Sequence, residues 1–152
     1  GIRVRENNKN IIKRDFSGKA RSVNAPLLKL LLDNGYTPVL TIPIADEHGY
    51  AVNSENDDIV NALQAALQAK TVIQLIEAGG FLADASDPDS VVPTMSVAEV
   101  AQREAQVEGR IKRKMLALKA LTQSGKVRVI MADGRVDAPI TNALAGNGTV
   151  IE

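Results

Sequence analysis

Residues 50–69 read YAVNSENDDIVNALQAALQA, and this stretch sets the pattern for the rest of the chain. In its second half apolar side chains recur at helical spacing, which predicts a helix with one face against a core. A run of six polar residues, 53–58, precedes that face, whereas capping a helix needs only one. Two interpretations follow: an over-capped helix, or a binding site at the helix start. The apolar face consists of Ile59, Val60, Leu63, Ala66 and Leu67.

Three near-continuous apolar runs flank this helix, at residues 37–44, 71–76 and 127–131. Such runs are typical of parallel strands that are buried on both faces. Capping residues and periodicity predict helices between and after them. The alternation indicates an α/β fold, a three-layer sandwich with a largely parallel sheet. The other predicted elements are a β-hairpin at Ile2–Arg14, helices that begin at Asn24, Ser96, Ile111 and Pro139, and an edge strand at Thr149–Ile151.

Polar or glycine-rich sequence follows each predicted parallel strand. Ligands of such sheets bind at the carboxyl ends of the strands, so three such ends on one edge predict a cleft. The segments concerned are Asp46–Asp58, Glu77–Gly80 and Asp133–Arg135.

The amino-acid composition argues against several classes of function. The 152 residues fit about one domain, and the absence of cysteine excludes disulfides and thiolate sites. No apolar run approaches the ~20 residues that span a bilayer, so a soluble, cytoplasmic protein is expected. Zero net charge and few aromatic residues argue against nucleic-acid binding. With one histidine and no glycine-flanked serine, the sequence offers no convincing nucleophilic triad, and no metal site is expected.

The amino-terminal end is basic although the whole chain is neutral. Residues 1–21 carry seven cations and two acids, a net charge of +5, which leaves −5 for the rest. Either an acidic partner docks here, or the segment is a solvated hairpin. The five cations of the candidate docking surface are Arg3, Arg5, Lys9, Lys13 and Arg14.

The residues left after these exclusions are suited to phosphoryl transfer. This reaction depends more on positioning the reactants and neutralising phosphate charge than on covalent chemistry by the protein. If the acceptor of the phosphoryl group is a carboxylate, it is already ionised at neutral pH and needs no general base. A site without histidine or cysteine is then sufficient. The Gly-Gly turn at residues 79–80 and the carboxylates of residues 53–58 could take part. The cations at 110–114 could bind phosphate or form a solvated basic face. They are Arg110, Lys112, Arg113 and Lys114.

Several motifs, in order, resemble the amino acid kinase family, in particular its acetylglutamate-kinase-like members. The resemblance is strongest to the branch that acts on aminoadipate or glutamate linked to the amino-group carrier protein LysW. Gly49-x-x-x-Asn53-x-x-x-Asp57 is similar to a family motif, and Gly109–Lys114 is similar to the segment whose last lysine binds the transferring phosphoryl group. The other motifs are Tyr36–Leu40 with Pro43, Ala132–Arg135 and Gly148–Ile151.

The resemblance implies roles for individual residues. Lys114 and Asp57 are expected to be catalytic, Asn53 to contact the substrate, and Glu77, Gly79 and Gly80 to contact the nucleotide. The implied reaction uses ATP, with Mg²⁺ carried by the nucleotide, to convert a side-chain carboxylate to an acyl phosphate in lysine or arginine biosynthesis. A small acidic carrier protein is the implied partner, docked on the basic residues of the hairpin, and the full enzyme is expected to be a homodimer.

The family's phosphate-holding lysine and first glycine-rich turns have no counterpart here. The resemblance is therefore expected to be to the C-terminal portion only, with residues 1–21 as hairpin and loop and 22–152 as an incomplete nucleotide-binding part. The chain alone is expected to be inactive. Two alternatives remain: an acetylglutamate kinase that acts on free substrate, and a non-catalytic nucleotide-binding fragment or regulatory domain.

Overall fold

The computed structural model describes residues 2–6, 9–13, 16–106, 109–122 and 127–152. The chain divides into two compact units, residues 1–67 and 68–152, here called unit 1 and unit 2. The subdivision at residue 21 that the sequence suggests stays a prediction.

The predicted amino-terminal hairpin is present in unit 1. Strand β1, Ile2–Glu6, pairs antiparallel with β2, Lys9–Lys13, and Glu6 lies opposite Lys9. The turn between them and the predicted end of the hairpin at Arg14 fall outside the described residues.

Both predicted helices of unit 1 are also present. Helix α1, Ala25–Asp33, begins where the Asn24 side chain accepts a hydrogen bond of 3.2 Å from the Leu27 amide. Helix α2, Asn56–Leu67, carries two aspartates in its first turn, where carboxylates suit the helix dipole. The two helices pack against each other, but no residue of α2 is fully buried. The apolar face of α2 therefore contributes less to a core than its periodicity predicts.

The predicted strand at residues 37–44 is wrong. Only Ile44–Ala45 forms a strand, β3, and it pairs antiparallel with β4, Ala51–Val52, around the turn at Asp46. Proline donates no backbone hydrogen bond, so Pro38 and Pro43 limit pairing of the segment between them. A run of apolar residues indicates that a segment could form a buried strand. It does not indicate whether another strand is available to pair with it.

Unit 2 contains a four-stranded sheet in the order β5-β7-β8-β6. The pairs β5–β7 and β6–β8 are parallel, and β7–β8 is antiparallel. The predicted edge position of β8 is wrong, because it lies between β7 and β6 and all its residues are buried. The strands are β5 Thr71–Ile76, β6 Thr94–Met95, β7 Arg128–Asp133 and β8 Thr149–Ile151.

Helices pack on both faces of this sheet. Ala143 of α5 clusters with Ile130 and Ala132 of β7. Val129 and Met131 alternate to the opposite face, where they are buried, and α4 also packs against β7. The largely parallel three-layer α/β fold is therefore confirmed. The helices of unit 2 are α3 Val97–Gln106, α4 Gly109–Thr122 and α5 Pro139–Leu144.

The sheet brings together two of the three predicted strand ends. Ile76 lies opposite Asp133, and the Gly134 amide donates a hydrogen bond of 2.9 Å to the Ile76 carbonyl. In the described residues β3 pairs with β4, so the third end, after Ile44, is not part of this sheet. The two strand ends that this sheet brings together are therefore those of β5 and β7.

Candidate functional site

An open cavity of about 440 Å³ lies beyond the carboxyl end of β7. A cavity of this size is typical of small-molecule and cofactor sites. Its position matches the general rule that ligands of α/β sheets bind beyond the carboxyl ends of the strands. The residues that line it are Gly79, Val91, Ala132, Asp133, Val136, Asn142, Asn147 and Gly148.

Gly148 shapes the cavity through its backbone. Its φ of +140° is one that side-chain-bearing residues rarely adopt, and a Cβ there would strike the carbonyl oxygen of Met131. A Cβ on Gly79 would lie 3.0 Å from a methyl group of Val91. Both glycines line the cavity, so a ligand there can approach the backbone closely.

Gly80, also predicted to contact a nucleotide, is buried against β8. A Cβ at this position would lie 2.6 Å from the Thr149 hydroxyl. That hydroxyl accepts a hydrogen bond of 2.7 Å from the Phe81 amide and donates one of 2.6 Å to the Val92 carbonyl. The structure therefore gives Gly80 a packing role that fixes the loop after β5, and its contact with a nucleotide stays a prediction.

Asp133 and Arg135 form a two-pronged ion pair at the cavity wall. The Arg135 Nε and Nη2 donate hydrogen bonds of 2.9 and 2.8 Å to the Asp133 carboxylate, and the Arg135 amide donates a third of 2.9 Å. The side-chain and backbone hydrogen bonds from Arg135 lower the pKa of Asp133 to about 2. The pKa of Arg135 is raised, chiefly by its bond to Asp133 and less by the charge of Glu77. A cation thus borders the cavity, but it is already paired.

Two asparagines, Asn142 and Asn147, also line the cavity. The Asn142 side-chain amide donates a hydrogen bond of 2.7 Å to the Asp137 carbonyl. The Asn147 side-chain amide donates to Asn142 Oδ1 at 3.3 Å, and its backbone amide to the Asn142 carbonyl at 3.1 Å. These bonds hold polar groups in place beside apolar ones, as recognition of a partly apolar ligand requires.

Glu104 of α3 is an acidic partner of α4. Glu104 forms ion pairs with Lys112 at 3.7 Å and with Lys119 at 3.4 Å. Lys114 is half-buried on the same helix. The side chains of Arg110 and Arg113 lie outside the description. Part of the basic face therefore joins two helices, and a phosphate-binding role for Lys114 stays a prediction.

The other predicted site residues belong to unit 1. The Asn53 backbone pairs with the loop before α1, with hydrogen bonds to Phe16 and Gly18 of 2.6 and 2.8 Å, while its side chain is exposed. Asp57 is half-buried in the first turn of α2. Lys114 belongs to unit 2, so the expected association of Asp57 with Lys114 stays a prediction.

Of the predicted docking surface, the structure describes one side chain, that of Arg5, which is exposed. The side chains of Arg3, Lys9 and Lys13 lie outside the description, as does Arg14. Unit 1 also holds a second open cavity of about 530 Å³ between residues 19–23 and α2. The docking surface stays a prediction.

Cavity residues that were not predicted as site residues from the sequence include Val136, Asn142, Asn147 and Gly148. The signal for Gly148 was present, because glycine directly before a short strand often marks a close backbone approach. The asparagines gave no such signal, since Asn is common in any loop.

The residues that the structure describes contain no helix long and apolar enough to cross a membrane. Nor do they bring together three or more His, Asp or Glu side chains in a way that could hold a metal ion.

Comparison with known proteins identifies the family. The model of the amino acid kinase family matches residues 2–133. The chain belongs to the amino acid kinase family. The sequence suggested a resemblance to the C-terminal portion of the family only, and this expectation is not borne out. The alignments with relatives cover up to 99% of this chain and give no position within those relatives.

Relatives within the amino acid kinase family include two kinds of carboxylate kinase. LysW-aminoadipate kinase of Thermus thermophilus is 37% identical over 99% of this chain and 57% of its own length. Acetylglutamate kinase of Synechococcus elongatus is 31% identical over 90% of this chain and 47% of its own length. The chain thus spans about half the length of the relatives that it matches.

Solved structures with the same fold are more distant in sequence. N-acetylglutamate synthase from Neisseria gonorrhoeae, complexed with coenzyme A and L-arginine, superimposes with a TM-score of 0.76 and 21% identity, over 96% of this chain and 34% of that one. Carbamate kinase from Giardia lamblia gives 0.64 and 17%, over 85% and 43%. At these identities the likeness shows the fold alone.

Proposed function

We propose that this chain carries the ATP site of a kinase that phosphorylates the side-chain carboxylate of carrier-linked aminoadipate or glutamate, in lysine or arginine biosynthesis. The observation that carries the proposal is the open cavity beyond the carboxyl end of β7, in a chain of the amino acid kinase family. Relatives named LysW-aminoadipate kinase support this choice of substrate class. We expect the working enzyme to be a cytoplasmic homodimer.

The cavity suits a nucleotide in size and lining. Gly79 and Gly148 leave the backbone open to close approach, and Asn142 and Asn147 offer hydrogen bonds beside the apolar Val91 and Val136. Glu77 and Arg135 lie at the same end of the sheet, where the charge of Glu77 acts on Arg135. We assign this cavity to the nucleotide. Of the three predicted contacts Gly79 lines the cavity, and contacts from Glu77 and Gly80 stay predictions.

Magnesium fits as a companion of the nucleotide. The described residues hold no cluster of carboxylates and imidazoles that could bind a metal by itself. Mg²⁺ usually keeps several waters and binds through one or two carboxylates plus substrate phosphates. It would neutralise phosphate charge when bound, and the side chains of this chain would orient the reactants around it.

The reaction needs no general base. A carboxylate oxygen of the substrate forms a bond to the γ-phosphorus of ATP, the bond from that phosphorus to the bridging oxygen breaks, and ADP leaves. The products are an acyl phosphate and ADP, and no proton moves. We propose that Lys114 stabilises the phosphoryl charge in the transition state, that Asp57 holds this lysine, and that Asn53 contacts the substrate.

Calorimetric titration of ATP with Mg²⁺ into the chain tests the nucleotide assignment. Val136→Trp should fill part of the cavity and weaken ATP binding by roughly tenfold or more, a change of about 1.4 kcal/mol. The matched control is Ile140→Trp, because Ile140 is also exposed in unit 2 and does not line the cavity. Equal affinities for ATP in the two variants would argue against this cavity as the site.

A second candidate is an acetylglutamate kinase that acts on free substrate, which the Synechococcus relative favours. The two candidates differ in whether an acidic carrier protein binds. If it does, Arg5→Glu should weaken its binding at low salt, and salt should weaken the wild-type complex, since exposed charges are screened. Lys29→Glu is the control, because Lys29 is an exposed cation outside the basic segment. Binding that is absent, or insensitive to salt and to Arg5→Glu, would favour free substrate.

A further inference from the structure

The lining of the open cavity beyond β7 suits the nucleoside part of a nucleotide better than its phosphates. In the described structure the lining contains one carboxylate, Asp133, and no lysine or arginine. The neighbouring cation, Arg135, is already bound to Asp133 through three hydrogen bonds. An ionised carboxylate repels phosphate oxygens, whereas it can accept hydrogen bonds from ribose hydroxyls.

Apolar groups beside these polar ones suit a flat heteroaromatic base. Val91, Ala132 and Val136 line the same cavity, and Gly79 and Gly148 leave the backbone open to close approach. Sites of this kind combine an apolar lining with a few placed polar groups, and those groups give the site its specificity. The polar side chains of the lining are therefore expected to decide which base fits.

The hydrogen bonds of Asn142 fix the direction in which its side-chain amide faces. Its nitrogen donates to the Asp137 carbonyl at 2.7 Å, and a carbonyl oxygen can only accept. Asn142 Oδ1 therefore faces the neighbouring Asn147, whose side-chain nitrogen donates to it at 3.3 Å. If the Asn147 amide were turned over, two oxygens would face each other with no proton between them. The orientation of both amides thus follows from one backbone carbonyl.

Asn147 keeps a donor and an acceptor side by side on the free edge of its amide. One of its two side-chain N–H groups is used by Asn142, so the other remains beside Oδ1, which accepts no hydrogen bond within the described residues. Adenine presents the complementary pair, an amino group that donates and a ring nitrogen that accepts, and asparagine can bind both at once. A 6-oxopurine such as guanine has an oxygen in place of that amino group, and this oxygen would face Oδ1.

We propose that Asn147, held in this orientation by Asn142, selects adenine over 6-oxopurines in the cavity of unit 2. The inference rests on the proposed function, in which this cavity binds ATP, and it adds the residue that determines the choice of base. Asn147 takes no part in the phosphoryl transfer itself, so it is a specificity-determining residue.

Calorimetric titration with ATP and with inosine triphosphate (ITP), each with Mg²⁺, tests the choice of base. The two nucleotides share the same ribose and triphosphate, so the phosphate contacts cancel in their comparison. The wild-type chain should bind ATP roughly tenfold more tightly than ITP, since a two-bond contact discriminates between bases by about this much. In Asn147→Ala the two affinities should differ by less than about threefold.

The matched control for this variant is Thr141→Ala, which should keep the wild-type ratio of affinities. Thr141 is exposed on α5 and does not line the cavity. Asn147 is also exposed, so circular dichroism of both variants should match the wild type.

A second variant tests the positioning role of Asn142. Asn142→Ala should let the Asn147 amide turn over and pair with the oxygen of a 6-oxopurine, so ITP should bind more tightly by roughly threefold. Loss of structure alone would weaken the binding of both nucleotides. Unchanged or weaker ITP binding would therefore contradict the fixed orientation of Asn147.

Two results would overturn the inference while leaving the nucleotide assignment intact. The wild type could bind ATP and ITP with equal affinity, or the preference for ATP could survive in Asn147→Ala. Binding of neither nucleotide would overturn the inference together with the proposed function. The failures are distinguishable, because only the last one removes ATP binding.

Discussion

Among the residues that the structure describes, Asp133 has the pKa that lies furthest from its ordinary value. Three hydrogen bonds from Arg135 hold its carboxylate at the cavity wall. The pair fixes a cation beside the cavity, and it also makes the folded state prefer ionised Asp133. That preference links the site to the pH dependence of stability.

The pH prediction follows from the lowered pKa. In the unfolded chain Asp133 should titrate near its ordinary value of 3.8, whereas in the folded protein its pKa is about 2. A lowered folded pKa adds stability above the unfolded pKa, and this contribution is lost as the pH falls from about 4 towards 2. The Asp133→Asn variant should therefore unfold at a lower urea concentration than the wild type near pH 7, and the difference between the two proteins should shrink below pH 4.

The control is Asp89→Asn, because Asp89 lies in an exposed loop. A difference between Asp133→Asn and the wild type that stays constant with pH would contradict the assignment.

A second prediction for a single residue concerns the cost of adding a side chain at Gly148. Gly148→Ala should lower the free energy of unfolding by roughly 2 kcal/mol or more, because it combines an unfavourable φ with a clash against the Met131 carbonyl. Gly146→Ala should cost only about 1 kcal/mol, since Gly146 has a φ of +94° but open space around it. Urea titration of both variants measures the difference, and equal costs would show that the close approach at Gly148 does not constrain the fold.

At the scale of elements, the sequence predicted best what depends on near neighbours. Helix α3 is the clearest case, because its predicted capping box is complete. Glu99 Oε2 accepts hydrogen bonds of 2.7 Å from both the amide and the hydroxyl of Ser96, and the Glu99 amide donates one of 3.2 Å to that hydroxyl. All the atoms involved lie within four residues, so the local sequence is enough to specify them.

Strands were predicted less well because their partners are distant in sequence. The composition of residues 37–44 favours a strand, yet no partner strand pairs with residues 37–43 in the described structure. For β8, the sequence indicated a strand but not its place between β7 and β6. Likewise Gly79 was recognised as a site candidate from its position after β5. Asn142 and Asn147 were not, because only the tertiary fold brings them to the cavity.

The prediction at the scale of elements concerns the capping box of helix α3. Ser96→Ala should destabilise the chain by about 1 kcal/mol, as loss of an N-cap side chain usually does. Ser86→Ala is the control, because Ser86 also bonds to a carboxylate, that of Asp84, but in an exposed loop that caps no helix. Thermal unfolding followed by circular dichroism measures both, and a loss from Ser86→Ala as large as that from Ser96→Ala would contradict a specific capping effect.

At the scale of the whole molecule, the predicted chemistry is divided between two units. Unit 2 contains all the residues that line the candidate nucleotide cavity in the described structure, and it also contains Lys114. Unit 1 holds Asn53, Asp57 and the basic hairpin. Nucleotide binding is therefore expected from this chain alone.

The most direct test of the central claim is a nuclear magnetic resonance titration of the isotope-labelled 16.2 kDa chain with ATP and Mg²⁺. We predict saturable shifts of the amide signals of Gly79, Asn147 and Gly148, which line the cavity of unit 2. Unchanged signals at millimolar nucleotide would contradict the account. So would shifts confined to residues 19–23, 58, 61, 62, 65 and 66, because these residues line the other cavity, in unit 1.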